Sequence, residues 1–572
     1  MVSRTKVAVS LGVVAVAAIS LLAASWAGAQ SKVSYPRNQT LITSGTQWGN
    51  IAGTNPYVGN YATGMVGLVN ETLLRYDPLA DKYINWLAKS AKWSGPKSYV
   101  VVVRPGIKWS NGQKFTGNDV KFNVRLGRLT TAFWNTLYIN LKPILVKGNT
   151  VTFRFKNTPN YVQWQNLMWN LPMINPGQAH AIQGPQSLTT YSPNDPIGTG
   201  PYELATEGFD ATTRVVWQKK AVWWAAKQKV SPSPKPKYII DLCNTSNTNA
   251  LSGLLTGIED LNNNFLPGVE GLVSSGKAQT YYPGAPYNLS ANTAWLEVNT
   301  THKPLDDPAF RKALATSINV DQIVSVDYHN LVLPSNASGL LPMWKKWINN
   351  AAVSSKGVTF SAANAAKMLA DAGYPKSGSY FRNKDGSAID LKIAVPQGWS
   401  DWEAARDMIV ADAAAAGIKL HADAGDFNHW QGERNAGTFD TIIDNNYQLS
   451  DNPWTYFNGI FHLPIISGGT GQTFANFGRY ENAAAYAKVQ QLDKTPLSNV
   501  AARKTLLNSL QDTLLTDLPI IPMWYNGVWS QTQSAYWTNW PSSTTSRKYI
   551  PCMWRGYLQM TGIDMFTHVK QA

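Results

Sequence analysis

The chain has 572 residues, a formal net charge of +15 and 15% charged residues, with 23 Trp and 25 Tyr. That length exceeds a single hydrophobic core and calls for two or more domains. The positive balance would suit nucleic acid, but Lys and Arg are scattered, densest at Lys219-Lys220 and Lys345-Lys346. The scatter points instead to an exported protein meeting acidic medium or an anionic wall polymer.

Arg4 and Lys6 precede an uncharged apolar run from Val7 to Ala24, and Ala27-Gly28-Ala29 offers a small-residue cleavage site before Gln30. This is the pattern of a Sec-type secretory signal peptide. Neither a twin-arginine pair nor a Cys at the cleavage point is present, so no lipid anchor is expected, and no second stretch is apolar enough to span a bilayer. From Gln30 onward 48 basic residues face 35 acidic ones. Cys243 and Cys552 are the only cysteines. In an oxidising compartment the pair suggests one disulfide, with two buried thiols as the alternative.

In chain order, Thr40 to Thr43 reads as the first strand, followed by a Gly- and Asn-rich loop through Trp48-Gly49-Asn50 and Asn55-Pro56-Tyr57. Met65 to Arg75 has apolar residues at helical spacing and is expected to be a helix. Tyr83 to Trp93 leads into a hairpin. Ser98 to Val103 is a β-branched strand, and Ser110-Asn111-Gly112-Gln113 a tight turn. Thr116 is placed as an N-cap with Asp119 in the first helical turn. Further on, 360–373 reads as a helix capped near Ser361, 389–395 as a strand, 402–416 as a helix and 418–422 as a strand. That alternation points to an α/β sheet. Phe439 to Ile443 is a short buried strand that runs into Asp444, Asn445, Asn446, Gln448, Asp451 and Asn452, then Pro453-Trp454-Thr455-Tyr456-Phe457. Amides, carboxylates and aromatics at a strand end suit a small polar ligand, although an Asn/Asp-rich turn over a core gives the same letters.

These residues carry a resemblance. Leu87 to Trp93, Val103-Arg104-Pro105-Gly106-Ile107-Lys108-Trp109-Ser110-Asn111-Gly112 and Phe115 to Val120 resemble the signature of the family 5 extracellular solute-binding proteins of ABC importers. Ile197-Gly198-Thr199-Gly200-Pro201-Tyr202, Ala250 to Asp260, Asn299 to Ile323, Ala365 to Tyr374, Gly417 to Leu420 and Leu518 to Met523 follow in the family's order. The resemblance implies a two-lobe, periplasmic-binding-protein-like α/β fold with an extra subdomain inserted in the first lobe. It implies residues 1–29 as signal peptide, 30–73, 188–291 and 527–572 as the first lobe, 74–187 as its insert and 292–526 as the second lobe. It places both cysteines in the first lobe, where they could meet. It also implies a monomer with no cofactor, a small-molecule ligand and a membrane permease as partner, in the periplasm or outside the cell.

The family's peptide receptors hold the ligand's ammonium with an Asp ahead of a Pro-containing turn. Counted from Pro453, that position is Leu449, with Asp444 and Asp451 nearby. Val395 to Trp402, Asn452 to Tyr456, Trp529 and Trp537 to Pro541 are similar to segments of the cello-oligosaccharide receptors. A pyranose offers C–H faces to an indole and a rim of hydroxyls to amides, with no fixed charge. The expected ligand is therefore a neutral oligosaccharide of cello- or other β-glucan type, with an oligopeptide as alternative. The alternative from a different class is a glycoside-processing enzyme. The expected ligand-binding residues are Trp48, Asn60, Tyr61, Trp399, Trp402, Asn445, Asn446, Gln448, Asp451, Trp454 and Trp529. No catalytic residues are assigned. The seven His show no metal-binding spacing, no Ser sits in a nucleophile-elbow setting, and carboxylate pairs such as Asp401 and Glu403 occur at random.

Overall fold

In a computed structural model, the structure describes residues 34–45, 51, 53–58, 61–130, 133–445, 450–465, 475–545, 549–553 and 559–572. Two six-stranded sheets and one four-stranded sheet organise the chain. The first lobe's sheet runs in the order Gln531–Thr532, Leu261–Asn262, Thr40–Ser44, Tyr238–Leu242, Arg214–Lys219, Tyr202–Asp210. Thr40–Ser44 sits at its centre, parallel to Tyr238–Leu242 on one side and to Leu261–Asn262 on the other. The second lobe's sheet runs Leu333–Pro334, Ile520–Val528, Leu289–Val298, Thr441–Asp444, Leu391–Pro396, Leu420–Gly425. Its last two strands and Thr441–Asp444 are parallel, and the helix Ser400–Ala415 crosses between two of them. Leu289–Val298 and Ile520–Val528 pair antiparallel along their length. Gln531–Thr532 then returns at once to the first sheet, so the chain passes between lobes at this ribbon.

The four-stranded sheet, ordered Ala88–Gly95, Ser98–Val103, Thr150–Arg154, Leu145–Lys147, belongs to the extra subdomain. Tyr99, Val101, Val103, Val151 and Phe153 face its core, where Trp164 packs edge-on against Phe153 and Phe155. The cap at Thr116 forms as expected: its hydroxyl accepts from Asn118 N, and Asp119 accepts from Thr116 N in return. Ser361 likewise caps Ala362–Asp371.

The helix expected over Met65 to Arg75 does not form. One wide turn, Met65–Val69, carries Gly67 at φ 104° and gives way to a strand, Leu74–Asp77. The reason lies 130 residues downstream. Gly200 N donates to the Val69 carbonyl at 2.8 Å, and a Cβ at Gly198 or Gly200 would lie 2.1–2.2 Å from the Val69 or Leu68 oxygen. The Gly-Thr-Gly element is therefore a backbone-on-backbone contact that claims the Val69 carbonyl.

The disulfide expected between Cys243 and Cys552 is absent from this structure. Cys243 follows the strand on one side of Thr40–Ser44. Cys552 is next to Met553, whose N–H donates to Asn263 Oδ1, just past the strand on the other side. Strands two apart are separated by about 10 Å, beyond the reach of an S–S bond. Burial pushes the Cys243 thiol up to about 11, with Asp241 and Asp210 adding to it.

Candidate ligand cleft

Ligands of open α/β sheets sit outside the carboxyl ends of the strands. In the first lobe the three parallel strands end on Ser44, on Cys243-Asn244 and on Asn262-Asn263-Asn264. These residues form one buried network. Ser44 Oγ accepts from the Asn244 amide and from Asn264 Nδ2 at 2.7 Å. Asn244 and Asn262 both donate to Glu259. Burial pushes the Glu259 carboxyl up to about 8, against the lowering effect of those two bonds. Asn263 Nδ2 donates to the Trp529 carbonyl at 2.7 Å, and the Gln531 amide, turned to its satisfied orientation, donates to the Asn262 and Asn264 carbonyls. Asp260 is engaged by Arg37 and Asp241 accepts from Gly45 N. Sequence reasoning missed this cluster; the signal was the run of three Asn at the end of a short strand.

In the second lobe Thr441–Asp444 ends on a buried carboxylate. The Arg434 guanidinium reaches both Asp444 oxygens at 3.4 Å, held over the rings of Trp430 and Phe477. Asn445 follows, half-buried, its N–H donating to Asp444 Oδ1. Glu297 on the neighbouring strand accepts from Trp295 Nε1 at 2.6 Å, and burial together with the nearby Asp444 charge raises it to about 8. On the ribbon between lobes Asn292 lies opposite Asn526. The buried Oδ1 atoms of Asn526 and Asn264 have no hydrogen-bond partner among the described residues.

Of the residues expected from sequence, Trp48, Asn60, Asn446 and Gln448 lie outside the described residues, as does Leu449. Tyr61 is half-buried between two cores of the first lobe. Trp399 is half-buried, 4.7 Å edge-on from Trp402 and stacked on Phe427 at 5.9 Å. The residues after it meet the first lobe: Asn247 Nδ2 donates to Ser400 Oγ and to Asp401, both at 3.1 Å. Trp402 and Trp454 are core side chains, and the Trp454 indole donates to the Val489 carbonyl. Trp529 is buried, stacked near-parallel with Tyr328 and edge-on to Phe265, so it packs the passage between lobes. Asp451 is buried and accepts from Tyr83 of the extra subdomain; burial raises it to about 6, opposed by that bond and by Arg503.

Among the described residues Asp423, His429 and Glu433 have ligand atoms within 4.8 Å of one another. His429 is exposed and already pairs with Glu433 one helical turn away at 3.5 Å, so an ordinary surface ion pair accounts for the contact.

The profile of the bacterial extracellular solute-binding proteins, family 5 (middle region), matches residues 82–467. A probable ABC transporter-binding protein of Deinococcus radiodurans is 24% identical over 404 residues, 65% of this chain and 67% of that one. The glutathione-binding protein GsiB of Salmonella typhi is 25% identical over 300 residues, and the match spans about half of each chain. The crystal structure of a mannohexaose-bound periplasmic oligopeptide-binding protein of an oligopeptide ABC transporter from Thermotoga maritima is 31% identical. It superposes with a TM-score of 0.87 over 94% of this chain and 99% of that one. The profile match over two thirds of this chain and the 31% identical two-lobe structure agree: this chain belongs to the bacterial extracellular solute-binding proteins, family 5.

Proposed function

We propose that this chain is the receptor of an ABC importer and captures a neutral oligosaccharide between its lobes for delivery to a membrane permease. The observation that carries the sugar reading is the chemistry of the strand ends. The side chains of Ser44, Asn244, Asn262, Asn263, Asn264 and Asn526 are neutral, and the Oδ1 atoms of Asn264 and Asn526 have no hydrogen-bond partner among the described residues, while the carboxylates beside them are already engaged by Arg37, Gly45, Asn244, Asn262 and Arg434. A peptide ammonium needs a buried carboxylate of its own, because an unpaired buried charge is strongly destabilising. Sugar hydroxyls need only donors and acceptors. The mannohexaose held by the Thermotoga maritima protein supports the same reading. A peptide ligand is the second reading, favoured by the relatives named for glutathione and oligopeptide binding. Trp399, half-buried beside the segment that touches the first lobe, is the proposed stacking face.

Thermal shift decides between them. Mannohexaose or cellopentaose at about a hundred times its Kd should add roughly 2.7 kcal/mol and raise Tm, while glutathione and short peptides should not. Peptides that raise Tm while both sugars leave it unchanged overturn the proposal.

A further inference from the structure

The net positive charge of this chain has one location. Between Lys82 and Ser187 there are fourteen Lys and Arg and a single acidic residue, Asp119. The rest of the chain from Gln30 onward carries 34 basic and 34 acidic residues and is neutral. The basic residues are spread over 75 positions in sequence, but the fold collects them on the extra subdomain, and twelve of the fourteen are exposed. Among the described residues none of them is in an ion pair with a carboxylate. Asp119 does not offset them. It is buried, and its oxygens accept from Thr116 N, the Thr116 hydroxyl and Trp109 Nε1.

Three of these cations, Lys92, Lys147 and Arg154, share one face of the four-stranded sheet. Its inner face is the buried row of Tyr99, Val101 and Phe153. The opposite face alternates with it: Lys92 pairs with Val100, Lys147 with Thr150 and Arg154 with Ser98, and none of these six is buried. Lys92, Lys147 and Arg154 are exposed on this face, with no helix over them among the described residues. At one end of it Lys142 N donates to the Arg154 carbonyl and Phe155 N to the Lys97 carbonyl, so more cations flank Arg154. Leu145, on the same face, is 46% exposed. The face is open rather than grooved and carries no aromatic ring on which a base could stack.

We propose that this sheet face docks on an anionic phospholipid surface and holds the receptor against the membrane. Charge complementarity selects phosphate, and an extracellular family member meets phosphate outside the cell. A broad open face with cations at its rim and aliphatic and hydroxyl side chains at its centre matches a planar array of headgroups better than it matches a single polyanion strand. Each Lys or Arg near such a surface contributes about fivefold to partitioning at physiological salt, and the contribution fades beyond a Debye length of about 8 Å.

The test is co-sedimentation of the chain from Gln30 with vesicles of phosphatidylcholine, with and without about 30% phosphatidylglycerol, at low and high salt. The expected result is binding to the anionic vesicles only, lost at about 0.5 M salt. The triple variant Lys92→Gln, Lys147→Gln, Arg154→Gln should lower the partition coefficient about a hundredfold. The control triple Lys277→Gln, Lys376→Gln, Lys504→Gln removes the same charge elsewhere and should change it less than about twofold. Circular dichroism and Tm check that both triples fold; the single Lys147→Gln, on an edge strand, should still give about fivefold if the triple does not. Absence of binding to anionic vesicles at low salt overturns the proposal. Equal loss from both triples overturns the assignment to this face. Tighter binding to soluble poly(glycerol phosphate) than to vesicles overturns the membrane as the partner.

Discussion

Asp493, at the end of the helix Ala483–Asp493 in the second lobe, caps a helix of the extra subdomain. Asn160 sits at the N-cap position of Tyr161–Asn170 but makes no side-chain cap of its own. Asp493 supplies the acceptors instead. It takes the Gln163 backbone N–H at 3.0 Å, Asn160 Nδ2 at 2.6 Å and the Gln163 side-chain amide. A helix N-terminus leaves its first N–H groups unsatisfied and favours an anion. The carboxyl is 1% exposed, and burial raises its pKa despite these bonds. Asp493→Ala leaves the Gln163 N–H and side-chain amide buried without an acceptor and frees the half-buried Asn160 amide. The lost cap costs about 0.5–2 kcal/mol and the one further buried unsatisfied group, the Gln163 amide, about 1–3, so a loss of about 1.5–5 kcal/mol is expected. Asp493→Asn keeps one acceptor oxygen, and the Asn160 and Gln163 amides can turn to present their own oxygens to its NH2, so it should cost about 1 kcal/mol or less. Urea unfolding followed by Trp fluorescence reads both. Because the contact joins subdomain to second lobe, Asp493→Ala should also raise the apparent Kd of the ligand by reducing the closed population. An Asp493→Ala protein within about 0.5 kcal/mol of the parent would refute the capping argument.

Two further outcomes follow from the interior. Glu297 has its folded pKa raised to about 8, so its unfolded form releases the proton first as pH rises. Its contribution to stability is therefore fully present below about pH 4.5 and is lost as pH rises towards 8. Glu297→Gln should flatten the fall in Tm between pH 5 and 8.5, and an unchanged slope would rule out Glu297 as its source. Trp454→Ala should cost about 3–5 kcal/mol through the cavity it leaves under the Val489 carbonyl, with ligand affinity of the folded protein nearly unchanged. Isothermal titration showing a loss of affinity without a loss of stability would return Trp454 to the cleft.

The sequence alone determined the local structure wherever the chemistry is local. The run Tyr99 to Val103 can only be a strand, Thr116 with Asp119 can only start a helix, and Ser361 starts the helix Ala362–Asp371, because propensity and capping act within a few residues. The order of short motifs was enough to reach the family and its two-lobe fold. Tertiary structure decided what depends on distant partners. Met65 to Arg75 has helical spacing, but the Gly200 N–H takes the Val69 carbonyl, with the Gly198 backbone in close contact beside it. The two cysteines flank the central strand on opposite sides, which no count of residues reveals. Trp402, Trp454 and Trp529 read alike as letters, since an indole suits a core and a sugar equally; only packing separated buried rings from the half-buried Trp399. The charge that looked scattered along the chain is concentrated because four strands bring positions 89 to 156 onto one subdomain, while Asp119, its one acid, is used up inside. A strand's alternation specifies which side chains share a face, but only the sheet it joins determines whether that face is buried or left open.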